Sequence, residues 1–456
     1  MAGSKAPEPE ARRTRTKGDS LRRDAPSNGT AQEGPQRAGT WPAPVSWRDA
    51  LRAPRAGPPD YWLLAVVGAI VVLGLVMLYS ASFARSAWEK DGNSMFYLGR
   101  QLLWVLVGLA GGAVMMRVDY RFWRRFSVPG MVVVVVLLVA LLILPATLVP
   151  PVQGARRWFF FGSVGVQPSQ LTYLVFVVYI ADWLSKRGQR LHQVAYGLVP
   201  FAVVLGLLAG LIVLEPDMGT AIVLVLVGAV VFLVAGADLK QFSLAALLSG
   251  ALFFLLTRFS AYRWARMVAL LHPFANYSTV SYHQAHNQMA MGTGGLFGIG
   301  LGQGRHKFFW LPSPHTDSIY AVVGEELGLL GCLLMVALFL WVAYRGYTIA
   351  IRAPDRYGLL LGVGATTWIS AQAFLNMTVV AGLLPFTGVT LPFVSYGGSS
   401  LACCMTAVGL LLNLSSYEKR DHAPIDLWWG NRRPRLPGTG RRRRPSAEQP
   451  DPVRGQ

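Results

Sequence analysis

The chain has 456 residues, of which 53% are hydrophobic and only 14% charged, with a mean hydropathy of +0.40. A soluble domain carries about a quarter charged residues, so the water-soluble globular class is excluded. The net charge of +19 does not indicate nucleic acid, because the arginines gather in the two tails ("ARRTRTKGDSLRR", "RRPRLPGTGRRRRP") and in short loops, with no folded basic module beside them.

Residues 1–58 are rich in Pro, Gly, Ala and charge and read as a disordered basic cytoplasmic tail; residues 418–456 read as a second one. Such basic segments suit the anionic lipid of a cytoplasmic leaflet. No cleavable signal peptide is visible, since the first long apolar run starts near Tyr61. Between the tails, apolar runs near the ~20-residue length of a bilayer crossing recur. They predict an all-α polytopic membrane domain over 59–417 with about ten transmembrane helices, at 61–83, 98–117, 128–149, 168–185, 194–214, 217–236, 241–258, 317–345, 357–384 and 390–415. Cys332, Cys403 and Cys404 all fall in apolar runs and read as small buried hydrophobes.

The joints fix an orientation. "RVDYRFWRRF", "LSKRGQR", "GADLKQ" and "YRGYTIAIRAPDRYG" are short and mostly basic, whereas the alternate joints, "GARRW" excepted, are poorer in Arg and Lys. The positive-inside rule then puts both termini in the cytoplasm. The long loop between helices 7 and 8, 259–316, becomes external, and so do "GARRWFFFG", "LEPDMG" and "LPFTGVT".

Several motifs lie on that external side. "GARRWFFFG" pairs Arg156 and Arg157 with aromatics; the arginines either anchor the loop at headgroup level or grip a lipid phosphate. "LEPDMGT" sets Glu215 and Asp217 around Pro216, where Asp217 can simply cap the next helix. "MGTGGLFGIGLGQGRHK", with Gly294 and Gly295, lacks the G-K-[ST] ending and strand–helix setting of a phosphate loop. It reads as membrane-depth backbone that packs closely, lines a cavity, or turns its N–H groups toward an anion.

"LPSPHTDSIYAVVGEELG" carries the sharpest signal. Asp317 stands at the mouth of an apolar run, with Arg305, His306, Lys307, His315 and Thr316 before it. A helix cap would account for its position. Glu325 and Glu326 sit roughly 12–14 Å deeper at helical rise, where a carboxylate marks either a functional group or an internal pair with an Arg such as Arg263 or Arg266. "LPFVSYGGSS" opens the last run with Ser395, Gly397 and Gly398, small residues that permit close packing.

In this order, "YSAS" at Tyr79, "GARRW…QPSQ", "EPDMGT", "GGLFGIGLGQG", "LPSPHTDSIYAVVGEELG" and "LPFTGVTLPFVSYGGSS" resemble the SEDS family (shape, elongation, division and sporulation), over about 61–417. Within it the N-terminal portion is most similar to the division branch, then to the elongation branch. The resemblance implies ten-helix peptidoglycan glycosyltransferases that polymerise lipid II outside the cytoplasmic membrane, at the septum for the division branch. It also implies a class B penicillin-binding transpeptidase and other divisome proteins as partners, and the family's essential aspartate maps onto Asp317. The chain departs from the pattern at Gln170 and Tyr173 (Glu and Lys in the family), Ser313 (acidic), Ser318 (Phe) and His283 (Gln).

The chemistry is consistent with one carboxylate. Pyrophosphate leaves without protonation, so a general base for the acceptor hydroxyl suffices, helped by cations on the departing charge. Asp317 takes the catalytic role. Arg156, Arg157, Lys307, His315, Thr316, Glu325 and Ser395 are expected to bind substrate, and Glu215, Asp217, Glu326, Gly294, Gly295, Gly397 and Gly398 to shape the pocket. The resemblance makes Mg²⁺ or Mn²⁺, bridging Asp317 and pyrophosphate, the expected cofactor, although no metal motif is visible. The alternatives are a lipid-linked precursor transporter or flippase, and a weakened paralogue acting as a divisome scaffold.

Overall fold

The computed structural model describes residues 57–151, 155–162, 164–274 and 281–417. Apart from 57 and 58, the tails assigned to 1–58 and 418–456 lie outside the described residues. The described chain is mostly helical: α1 Tyr61–Glu89, α2 Phe96–Arg117, α3 Ser127–Ile143, α4 Pro168–Ser185, α5 Leu198–Leu214, α6 Met218–Val234, α7 Leu239–Arg258, α8 Ala261–Leu271, α9 Tyr282–Gly294, α10 Ile319–Ile351, α11 Arg356–Val380 and α12 Gly398–Ser415. Five of these and the Tyr120–Ile143 segment containing α3 are long and apolar enough to cross a membrane, and α5, α6 and most of α7 form shorter apolar helices. Together with α4 these are the ten crossings expected from the apolar runs.

Three features differ from the expectation. The segment between α7 and α10 contains two further helices, α8 and α9. An antiparallel hairpin, β1 Phe159–Phe161 with β2 Val164–Val166, occupies the loop after α3. The last helix starts at Gly398 rather than near 390, because the Ser395 hydroxyl and backbone fold back on Leu391 (2.8 and 3.0 Å) and hold 391–397 as a turn.

Aspartates define several helix starts by accepting a backbone N–H that the helix leaves unpaired: Asp60 from Leu63, Asp217 from Thr220, Asp238 from Lys240 and Asp355 from Gly358. Small residues then bring helices together where lipid supplies no hydrophobic drive. A Cβ on Gly409 of α12 would lie 2.2 Å from the Gly112 carbonyl of α2. The central helix is α11, buried along most of its length against α10, α4, α6 and α12.

Inside α10 the helix is broken. Gly328 has φ 68 and ψ −165, so the N–H groups of Leu329 and Leu330 cannot reach the carbonyls of Glu325 and Glu326 as an unbroken ladder requires. They donate instead to Gly295 (2.9 Å) and Leu296 (3.2 Å), and the two abandoned carbonyls accept from Ile299 (3.1 Å) and Gly300 (3.1 Å). At membrane depth each freed group must find a protein partner, and the glycine-rich segment supplies all four. The approach is so close that a Cβ on Gly294 would lie 1.9 Å from the Gly324 carbonyl, and one on Gly298 2.1 Å from that of Glu326.

Candidate active site

Asp317 lies just outside α10, partly accessible, after a turn in which the Ser313 carbonyl accepts from the backbone N–H (3.1 Å) and hydroxyl (3.2 Å) of Thr316. The Thr316 hydroxyl also donates to Asp317 Oδ1 at 3.1 Å. The helix-cap reading needs correction: the cap position is Ser318, which makes no side-chain cap bond, and its buried hydroxyl has no partner among the described residues. Desolvation raises the Asp317 carboxyl to about 6, against the lowering effects of the Thr316 hydrogen bond and the Arg266 charge. The group is therefore ionised at neutral pH and more basic than an ordinary aspartate.

Residues distant in sequence build the walls. Asn376 of α11 donates from one amide to the Asp317 carbonyl (2.9 Å) and the Val389 carbonyl (2.7 Å). Arg266 of α8 donates to the Phe386 carbonyl at 2.9 Å and lies 5.2 Å from the centre of its ring; His283, where the family has Gln, stacks on the same ring at 4.4 Å. The strand of chain 386–389 is thus pinned at both ends. Between the pins Gly388, at φ +72, would place a Cβ 3.9 Å from Asp317 Oδ2, with no other atom that near. Neither Asn376 nor Arg266 was assigned to the site from sequence; the available signal was an amide in a mostly apolar helix and an arginine one turn after Arg263 in an amphipathic one.

His315 is buried against Tyr97 and Tyr396, with ring centroids at 4.6 and 5.7 Å. Burial lowers its pKa to about 4, with Arg85 adding to the effect, so it is neutral beside Asp317 and contributes shape rather than charge.

The deeper carboxylates face the protein, not a ligand. Glu326 accepts from Lys307 (2.6 Å), from the Ser80 hydroxyl (2.7 Å) and from the Gly302 N–H (2.9 Å). Glu325 Oε1 accepts from the N–H groups of Arg305 (2.7 Å) and His306 (3.2 Å) and meets His306 Nδ1 at 3.0 Å. The anion that the glycine-rich segment faces is the protein's own. Lys307 and one oxygen of Glu325, both residues expected to bind substrate, are occupied in this internal clamp, since a buried charge needs a partner, while the buried Glu325 Oε2 has no partner among the described residues; the partners are Lys307 and His306 rather than Arg263 or Arg266.

The remaining predicted residues are placed as follows. Arg157 donates to the main-chain carbonyls of Glu215 (3.0 Å) and Pro216, and Arg156 to that of Leu144 (3.2 Å). Arg157 is thereby an internal strut rather than a free phosphate grip, while Arg156 remains exposed. Asp217 accepts from Thr220 (N–H 3.2 Å, hydroxyl 2.8 Å), as a helix cap does. Glu215 is 1% exposed and neither carboxyl oxygen has a partner among the described residues; burial, reinforced by Asp217, raises it to about 8. Ser395, expected to bind substrate, is buried and bonded to Leu391 N–H (2.8 Å), and its carbonyl accepts from Gln101 (3.0 Å). Gly397 N–H reaches Gln101 at 3.4 Å, and a Cβ on Gly398 would collide with Trp104 at 2.0 Å. Gly295 ends α9 at φ +56. At the family's Lys position, Tyr173 donates to the Thr220 carbonyl at 3.0 Å and stacks on Trp368; Gln170 is buried nearby in α4. Among the described residues, no three His, Cys, Asp or Glu side chains converge as a metal cage.

The FtsW/RodA/SpoVE family model, described as cell cycle protein, matches residues 61–420. The chain belongs to this family. A relative from Trichlorobacter lovleyi named probable peptidoglycan glycosyltransferase FtsW is 38% identical over 373 residues, 81% of this chain and 96% of that one. Stage V sporulation protein E of Bacillus subtilis is also 38% identical, over 79% of this chain and 98% of its own. Among solved structures, the rod shape determining protein RodA of Thermus thermophilus superimposes with a TM-score of 0.59 at 26% identity, covering 80% of this chain and 98% of that one. A chain of a peptidoglycan synthase complex, from work on the coordination of polymerization and crosslinking, gives 0.66 at 26%, with 80% and 99% covered. As a family member with ten apolar or membrane-length helices, the chain is an integral membrane protein.

Proposed function

We propose that the chain is a peptidoglycan glycosyltransferase that polymerises lipid II at the outer face of the bacterial cytoplasmic membrane. Both termini are cytoplasmic, and the chain works beside a class B penicillin-binding transpeptidase and other divisome proteins at the septum. The observation that carries this reading is the Asp317 carboxylate: raised to about 6, partly accessible, and facing space beside Gly388. Relatives bearing the glycosyltransferase name support the reaction class, and the similarity to a sporulation protein leaves the septal role resting on the sequence motifs.

In the reaction the C4 hydroxyl oxygen of one lipid-linked disaccharide attacks C1 of another, inverting it. Asp317 Oδ2 takes the hydroxyl proton, the C1–O bond breaks, and undecaprenyl pyrophosphate leaves with the electron pair. A raised but still ionised base suits this step near neutral pH. The donor set of Asp317 and the Thr316 hydroxyl fits a hard cation, since Mg²⁺ is commonly held by one carboxylate plus substrate phosphates. When bound, Mg²⁺ or Mn²⁺ would neutralise charge on the departing pyrophosphate.

The test is purified protein with its cognate transpeptidase and labelled lipid II. Glycan polymer is expected from the native chain and not from Asp317→Ala. Equal polymer from both would remove the catalytic assignment. Lipid II movement across liposomes without polymer would identify a transporter instead.

A further inference from the structure

Arg305 and His306 sit on a rigid backbone, because one oxygen of buried Glu325 accepts both of their N–H groups and meets the His306 Nδ1. Their side chains, with His286, Met289 and Trp310, line a cavity of about 360 Å³, within the about 300–1,000 Å³ typical of small-ligand sites. The cavity is open on one side, and a tie from α9, in which the Tyr282 hydroxyl donates to the Trp310 carbonyl at 2.9 Å, holds the Trp310 backbone at its edge.

The charges around it are unbalanced. Neighbouring Lys307 is neutralised by Glu326, and Glu325 is turned toward the backbone. The exposed Arg305 guanidinium has no hydrogen-bond or ion-pair partner among the described residues, and only His306 Nδ1 is engaged on that ring. An unpaired guanidinium carried on a held backbone is suited to phosphate, whose oxygens match its fork. The thioether of Met289 and the indole of Trp310 supply apolar wall, so the complementary ligand is anionic at one end and aliphatic at the other.

We propose that this cavity holds the phosphate end of a prenyl phosphate or pyrophosphate, with Arg305 and His306 on the anion and Met289 and Trp310 against the first carbons of the chain. This rests on the glycosyltransferase reading, in which a prenyl pyrophosphate is both the donor's carrier and the leaving group. It transfers the phosphate-gripping role from Lys307 and Arg157, which are consumed internally, to a cation that is free.

The test measures binding of labelled farnesyl pyrophosphate to the full chain in phosphatidylcholine nanodiscs. Arg305→Ala and Arg305→Glu are each expected to weaken binding at least about tenfold, the scale of one charge-assisted hydrogen bond, with Arg305→Lys intermediate. Trp310→Ala is expected to erase the preference for farnesyl pyrophosphate over inorganic pyrophosphate. Arg125→Ala, at the joint between α2 and α3 where Arg125 lies over Phe122, is expected to change nothing. Unchanged affinity in both Arg305→Ala and Arg305→Glu would overturn the proposal. Equal native affinity for inorganic pyrophosphate would reduce the site to a free-phosphate site and overturn the prenyl assignment. Loss of binding when phosphatidylglycerol replaces phosphatidylcholine would assign the cavity to a phospholipid and overturn it too. Asp317→Asn separates this proposal from the reading beneath it: it should keep farnesyl pyrophosphate binding while losing polymer. Polymer that survives in Asp317→Asn would defeat the glycosyltransferase mechanism without touching the binding result.

Discussion

Lys307 donates to Glu326 across 2.6 Å, with side-chain exposures of 1% and 0%. The pair ties the glycine-rich segment to the broken helix α10 and, through the Ser80 hydroxyl at 2.9 Å from Lys307, to α1. Removing one charge strands the other, at a cost of about 3–5 kcal/mol for a buried pair. Lys307→Met should therefore lower the melting temperature of the purified protein sharply. Adding Glu326→Gln should recover part of the loss, because the amide oxygen still accepts from Ser80 and Gly302. A double variant less stable than Lys307→Met alone would contradict the pairing.

Activity should follow the Asp317 carboxylate as pH changes. The base form is populated above about 6, so kcat/KM for lipid II polymerisation should fall as pH drops through that value. An ordinary aspartate would place the fall near about 4. Initial rates across this range, with the fold monitored in parallel, distinguish the two.

Asn376 holds Asp317 and Val389 together through one amide. Asn376→Leu deletes both donors and leaves two carbonyls unsatisfied, at about 1–3 kcal/mol for each buried group. It should also release the carboxylate from its position facing Gly388. A drop in polymerisation of roughly 10- to 100-fold is expected, the scale of a misplacement of about 1 Å. Measured per folded molecule, kcat should suffer more than KM.

Glu215 gives a stability prediction with a definite sign. Its folded value, about 8, lies above the ordinary 4.5, chiefly through burial, so the native state binds the proton more tightly than the unfolded chain. Stability from this group is fully present below about 4.5 and is lost as pH rises through about 8. Glu215→Gln cannot ionise and should flatten that decline in melting temperature between about pH 5 and about pH 9.

Much of the fold was legible because its cause is local. An apolar run of bilayer length must become a helix in lipid, and the ten runs did so, although the third helix ends at Ile143 rather than near 149 and the last starts at Gly398 rather than near 390. The hairpin at Phe159–Val166 and the helices α8 and α9 were missed for the same reason, being too short or too mixed in character for a length rule. Asp317 could be singled out by the polar residues that crowd its boundary and by the resemblance of its motif to the family's, since its position alone fits an ordinary helix cap. Gly328 carried no such mark; only the crossing segment shows that it breaks the helix.

The sequence by itself determined the membrane class, the order of helices, the family and the aspartate to which the proposed chemistry is assigned, since each is written in short contiguous stretches. Tertiary structure decided which cation meets which carboxylate. Lys307 and Arg157 look like ligands for phosphate until folding brings Glu326 to one and two main-chain carbonyls to the other. Asn376 becomes a neighbour of Asp317 across 59 positions of chain. Groups at such separations meet only when the helices that carry them pack together, and that packing is a property of the folded molecule.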